Sequence, residues 1–189
     1  MEGTQFTIRR KVFTLFGAKF HVYNAEGHLL GFCKQKAFKL KEDIRFYSDE
    51  TMTDERLIIR ARSMIDFSAA YDVVDGTNQE RVGVLQRKGF QSMFRDEWNV
   101  MDESETLVGV IREDSALRAM LRRIGPLGGA FPQEFHLTEP SGDKIAEFKT
   151  HFNPFVQRMT VTIAPDCPCN PLLVIAAGIL LVAVEGRQK

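Results

Sequence analysis

The sequence predicts a mainly β protein: a closed antiparallel barrel of about twelve strands around a central apolar C-terminal α-helix, with one additional amphipathic helix. Three observations carry this expectation. A hairpin pattern returns along the chain with fixed internal spacing. The stretch from Leu172 to Val184 contains no polar side chain. Hairpins in series leave open edges and a hollow interior, and closing the sheet around that stretch removes both.

The first run, Phe6-Thr-Ile-Arg-Arg-Lys-Val-Phe-Thr-Leu-Phe16, mixes apolar and basic residues at strand-like spacing and ends at Gly17. Phe20 to Asn24 and Leu29 to Lys34 then flank Asn-Ala-Glu-Gly, a hairpin turn in which Gly27 is free to take positive φ. The same figure returns at Tyr71 to Asp75 with Val82-Gly83-Val84. It returns again at Trp98 to Asp102 with Val108-Gly109-Val110, and at Phe135 to Glu139 with Ile145-Ala146. From the aromatic to the turn-side Asn, Asp or Glu the spacing is 4 residues each time. From the aromatic to the small residue of the second strand it is 11, 12, 11 and 11. A weaker copy runs from Phe46 to Glu50 and from Leu57 to Arg60.

The copies start at unequal intervals, so this is a repeated hairpin and not a solenoid period. Tyr71, Val73 and Asp75 alternate with Asp72 and Val74, as expected of a strand with one face on a core. Each small residue marks a place where a strand can bend or let something approach closely. Met159, Val161 and Ile163 alternate in a last strand before Pro165.

Two helices complete the reading. In residues 113–124, Ala116, Leu117, Met120, Leu121 and Ile124 form an apolar face, with acids at the start and arginines at the end. Gly125-Pro126 stops this segment, which would cover one opening of the barrel. The terminal helix spans about 171–185. Asn170 is a good N-cap, Pro171 suits the first helical position, and Glu185-Gly186 supplies the stop. It is apolar on every side and must be surrounded by hydrocarbon. Thirteen apolar residues rise about 20 Å, short of the roughly 30 Å of a bilayer core. Burial inside protein therefore fits better than a membrane span, and Ile175→Asp or Gly178→Leu should be severely destabilising.

At 189 residues with 44% hydrophobic content, the chain can bury a core as one domain over 1–189. Lys+Arg and Asp+Glu both number 25, so no overall field points to nucleic acid or an acidic partner. The first residues lack the apolar core of a secretory signal. Three cysteines do not make a disulfide framework, and the expected compartment is a reducing cytoplasm, with peripheral membrane contact as an option.

Phe6-Thr-Ile-Arg-Arg-Lys, Phe20-His-Val-Tyr-Asn-Ala-Glu-Gly and the C-terminal apolar helix resemble the tubby C-terminal-like superfamily, above all its LURP-one-related branch. Phospholipid scramblases are more distant relatives. The resemblance covers nearly the whole chain and implies a twelve-stranded barrel around a central C-terminal helix. For the tubby branch it implies phosphoinositide binding by basic side chains on the outer face, through cations that meet phosphate oxygens. The best candidates are Lys34, Lys36, Lys39 and Lys41, with Arg9, Arg10 and Lys11 on a neighbouring strand. A lysine-rich strand that simply keeps a sheet face soluble is the plainer account. In scramblases an acidic calcium-binding segment precedes the helix. Here Thr162 to Cys169 holds one carboxylate, Asp166, which argues against calcium-driven lipid movement.

Cys167-Pro168-Cys169 is the one chemically suggestive spot, because a thiol beside a helix N-terminus has its thiolate stabilised. Zinc ordinarily needs four ligands at wider spacing, and the remaining cysteine is Cys33. Cysteines entering a core are the simpler account, so no metal or cofactor is assigned. His21, His28, His136 and His151 form no HExxH pattern. His21 and His136 share a repeat position, as the pattern alone requires. No Gly-x-Ser-x-Gly and no P-loop occur, and the acids at 75, 102 and 139 hold turn positions.

Three functional readings remain. The first is a non-catalytic binding or scaffold barrel whose partner is an anionic phospholipid, another anion or a protein. The second is a membrane-associated, scramblase-like protein whose C-terminal helix enters lipid. The third is a thiol or metal protein using Cys167 and Cys169.

Overall fold

The computed structural model describes residues 4–11, 18–35, 43–62, 70–88, 97–114, 133–151 and 156–185. Twelve strands close into one barrel in which each strand pairs with its neighbours in sequence. They are β1 (Thr4–Lys11), β2 (Ala18–Asn24), β3 (Leu29–Gln35), β4 (Ile44–Tyr47), β5 (Glu55–Ala61) and β6 (Ala70–Asp75). The second half comprises β7 (Arg81–Arg87), β8 (Trp98–Met101), β9 (Leu107–Glu113), β10 (Glu134–Thr138), β11 (Lys144–His151) and β12 (Val156–Ile163). Closure comes from β1 and β12, antiparallel from Thr4↔Ile163 to Lys11↔Val156. The helix α1 (Pro171–Glu185) follows.

The repeat in the sequence is a repeated bulge in the wall. In four hairpins the aromatic and the residue two places on face inward: Phe20 and Val22, Tyr71 and Val73, Trp98 and Val100, Phe135 and Leu137. The small residue of the second strand lies opposite that second inward residue, as Val22↔Gly31, Val73↔Gly83, Val100↔Gly109 and Leu137↔Ala146. The register then slips in every case, and the slip bends the strand. The β4–β5 hairpin has the same slip after Phe46↔Leu57. Its register is therefore two residues earlier than the sequence reading, with Ile44 in the aromatic position and Phe46 in the second.

Loop length explains the variation in spacing. Turns close from Asn24 to His28, Ser48 to Asp54, Asp75 to Glu80, Asp102 to Thr106 and Glu139 to Asp143. The one-residue-longer turn after Asp75 turns a spacing of 11 into 12. The turn-side residues behave as turn chemistry requires. Asn24 Oδ1 accepts from His28 N, Asp75 Oδ1 from Thr77 N, and Asp102 Oδ1 from Ser104 N. Thr77 bonds hold the Asp75 carboxyl below its ordinary pKa. Gly27, at φ 85°, takes the positive φ expected of it.

Three of the small residues are glycine for a further reason. A Cβ on Gly31 would stand 2.5 Å from Tyr47 O, on Gly83 2.4 Å from Met101 O, and on Gly109 2.7 Å from Thr138 O. Each of those carbonyls belongs to the residue at the slip of the next hairpin. Three of the five bulges thus press on the strand before them. Ala146 keeps its Cβ because β12 pairs with β11 without a slip.

The lumen is filled by α1. Every residue from Leu173 to Ala183 is buried, and the helix packs against β12, β7, β1, β6 and β5. Fifteen residues rise about 22 Å, and an eight-residue strand tilted by about 40° covers a similar height. Asn170 caps the N-terminus, with Oδ1 accepting from Leu172 N at 2.9 Å. At Gly178 the helix comes close to the wall, and a Cβ there would lie 2.7 Å from Ile8 Cδ1 and 3.1 Å from Val161 Cγ2. Among the described residues no helix is long and apolar enough to cross a membrane.

The additional amphipathic helix expected over 113–124 is not supported. Glu113 is the last residue of β9, paired with Phe135, because the ladder to β10 continues past the point where the acids suggested a helix start. Residues 115–124 lie outside the described residues.

Candidate functional site

Period-2 alternation sorts the sequence-predicted cations. Phe6 and Ile8 face inward on β1, and Arg10 follows them into the barrel. Its Nη1 donates to Val182 O at 3.5 Å and Gln157 Oε1 at 3.4 Å, and its guanidinium stands 5.7 Å from the centre of the Phe20 ring. Val182 carries one of the last carbonyls of α1, so Arg10 sits at the negative end of the helix. Arg9 faces the other way, with its guanidinium 4.6 Å from the centre of the Tyr23 ring. Lys11 pairs with Val156 and Lys34 with Lys19 through the backbone, and their side chains lie outside the described ones. Lys36, Lys39 and Lys41 fall wholly outside the described residues. Of the seven predicted residues, the structure therefore separates Arg9 from Arg10 and shows Arg9 alone as an outward side chain.

Around Arg9 the register assembles a row that the sequence reading missed. Arg9 is directly opposite His21 on β2 and Arg158 on β12, and Arg158 is opposite His151 on β11. Lys149 lies two residues back on the same face, opposite Thr160. His151 Nε2 and Thr160 Oγ1 are hydrogen-bonded at 2.8 Å. Burial, then the charges of Arg158 and Lys149, push the His151 pKa below its ordinary value. At the far end His21 is held by Glu50 at 2.9 Å. Lys149 meets Glu134 at 3.5 Å. Arg9 and Arg158 form no ion pair among the described residues, and Arg9 Nε is buried without a hydrogen-bond partner.

The other basic face of the wall is balanced. Arg62 reaches Asp72 at 2.7 Å and Glu105 at 2.8 Å, and Arg81 reaches Glu105 at 2.9 Å. These bonds raise the Arg62 pKa and lower that of Glu105. Arg45 is similarly held by Glu55 at 2.7 Å. Those arginines are occupied, whereas Arg9 and Arg158 at the centre of the β12–β1 row face each other with no ion pair among the described residues. The signal for Arg158 was present in sequence only through the closing pair of strands, which no local pattern specifies.

The thiols do not behave as the helix dipole alone would dictate. Cys169 is buried, and burial pushes its pKa up to about 12, with Cys167 adding to the rise. Desolvation outweighs the dipole there. Cys33, in the wall, is pushed up to about 12 by burial. Among the described residues the cysteines join no group of three metal-ligating side chains.

A family model described as LURP-one-related matches residues 30–182. The chain belongs to the LURP-one-related family. That span runs from β3 to the last turns of α1, so the LURP-one-related match takes in most of the barrel wall and its central helix. Neither the curated proteins nor the solved structures include a match to this chain.

Proposed function

We propose that this LURP-one-related chain is a non-catalytic binding protein that takes a phosphorylated anion, of the phosphoinositide class, on the outward face of β11, β12, β1 and β2. The observation that carries the reading is the pair Arg9 and Arg158. They stand directly opposite each other and outside any ion pair with described residues, and Arg9 Nε has no hydrogen-bond partner among them. Like charges in that position repel, and a phosphate accepting from both guanidiniums relieves the repulsion with charge-assisted bonds. Lys149, paired with Glu134, and His151 line the same face on the next strand. The reading makes the protein cytoplasmic and peripheral at anionic membranes. Lys34, Lys36, Lys39 and Lys41 remain in the proposal as cations read from the sequence.

The test is flotation with phosphatidylcholine vesicles, with and without a phosphoinositide, at two salt concentrations. A parallel titration uses a soluble inositol phosphate. Binding that needs the anionic lipid, fades with salt and falls about tenfold or more in Arg9→Gln/Arg158→Gln supports the reading. Binding of the soluble phosphate without vesicle binding makes the ligand a free anion. Undiminished binding in the double variant moves the site elsewhere, the four lysines first. Absence of both kinds of binding overturns the proposal and leaves a protein partner.

A further inference from the structure

The outward face of β10 and β11 carries a second group of side chains, opposite in charge to the arginine row. His136 follows Phe135 on β10 and faces outward, yet it is only 9% exposed. Glu134 lies two residues back on the same face, and Glu147 is directly opposite His136 on β11. One ligand atom from each of these three lies within 4.8 Å of the others. Asp114, just past β9, adds a fourth. His136 Nε2 is 3.5 Å from Asp114 Oδ2 and 3.5 Å from Glu134 Oε1.

Neither ring nitrogen of His136 makes a hydrogen bond with a described residue, and neither is exposed to solvent. Buried polar atoms are nearly always satisfied. A separation of 3.5 Å is long for an N–H···O bond, whose usual range ends at about 3.2 Å. It is close to the edge of a coordination tetrahedron, since two ligands each about 2.1 Å from zinc stand about 3.4 Å apart. The spacing fits a shared cation better than a shared proton.

We propose that Glu134, His136 and Glu147, with Asp114 as fourth ligand, bind a divalent first-row transition-metal ion of the zinc or manganese class. One imidazole nitrogen with carboxylate oxygens is a donor set of that class, harder than a thiolate site and softer than an all-oxygen calcium site. The cations beside Glu134 and His136 among the described residues leave the facing atoms open. Lys149 meets Glu134 through Oε2, the oxygen other than the one facing His136. Arg112, opposite His136 on β9, is bonded to Glu97. The ion would tie the end of β9 to β10 and β11 and satisfy one of the two orphaned ring nitrogens.

Untagged full-length protein titrated with Co²⁺, with Zn²⁺ as competitor, tests the assignment by visible absorption and thermal melting. The expected result is saturable binding with weak visible bands, no thiolate charge-transfer band, and a higher melting temperature with metal. Glu134→Gln/Glu147→Gln should abolish binding while the metal-free fold is kept. Should that variant fail to fold, Glu147→Gln alone should weaken binding at least about tenfold. No saturable binding, a thiolate band lost in Cys167→Ser, or undiminished binding in the glutamate variants overturns the proposal.

Discussion

Arg9 and Arg10 are neighbours on one strand and live in different solvents. Arg10 points into the barrel, among Phe20, Gln157 and the last carbonyls of α1. Arg9 points outward, over Tyr23 and across from Arg158. The inner arginine completes a helix end; the outer one is half of a cationic pair. A run that reads Arg-Arg-Lys in sequence is therefore not one basic patch. The alternation of a strand divides it between the two faces of the wall, one inside the barrel and one proposed to bind.

The largest effect that would break this contrast is inside. Ile179 is fully buried on α1. Ile179→Asp places an unpaired carboxylate in the lumen and should cost at least about 4 kcal/mol, seen as loss of the cooperative melting transition. Near-normal melting would mean that the helix is not the core.

Next comes the wall. Gly109→Ala drives a Cβ against the carbonyl of Thr138, and backbone cannot yield as a side-chain tip does. A loss of about 2 kcal/mol is expected in denaturant unfolding. Gly27→Ala gives a control for positive φ without crowding, since nothing lies within 4 Å of a Cβ there.

The two arginines then supply the direct comparison. Arg10→Met should lower stability by about 1 kcal/mol and leave anion binding unchanged. Arg9→Gln should reverse that pattern, with melting almost unaltered and phosphate binding weakened. Equal effects of the two on either measurement would dissolve the division between faces.

The smallest effect is a titration. His151 has a depressed pKa in the folded protein, so its contribution to stability is present above the unfolded value and is lost as pH falls through the folded one. An anion bound beside Arg158 should raise that pKa, and affinity should therefore grow as pH falls below about 6.5. The imidazole proton shifts of His151, followed by NMR with and without inositol phosphate, read this directly. A pKa indifferent to the anion would put the ligand off this row.

Much of the wall was legible because hairpins are local. The aromatic spacing located four of the bulged hairpins, and the run from Asn170 to Glu185 announced its cap, its length and its burial. The misplaced copy at Phe46 failed because an aromatic there occupies the second inward position and Ile44 the first. The segment 113–124 showed a helical apolar period, but Glu113 continues a ladder whose partner, Phe135, is distant in sequence. The group proposed to hold a cation was half visible: the hairpin register already sets His136 against Glu147, while Asp114 comes from the end of another hairpin, just past β9.

By itself the sequence determined the inward-facing pattern, the turns and the central helix, since these follow from side-chain period, backbone freedom at glycine and the length of an apolar run. The tertiary structure alone decided which charges meet. Arg9 and Arg158 are separated by most of the chain and become neighbours only when β1 closes on β12. Burial likewise decided that Cys169 is held as a thiol against the pull of the helix end. Electrostatic and desolvation effects depend on distance and surroundings in space, and barrel closure fixes both.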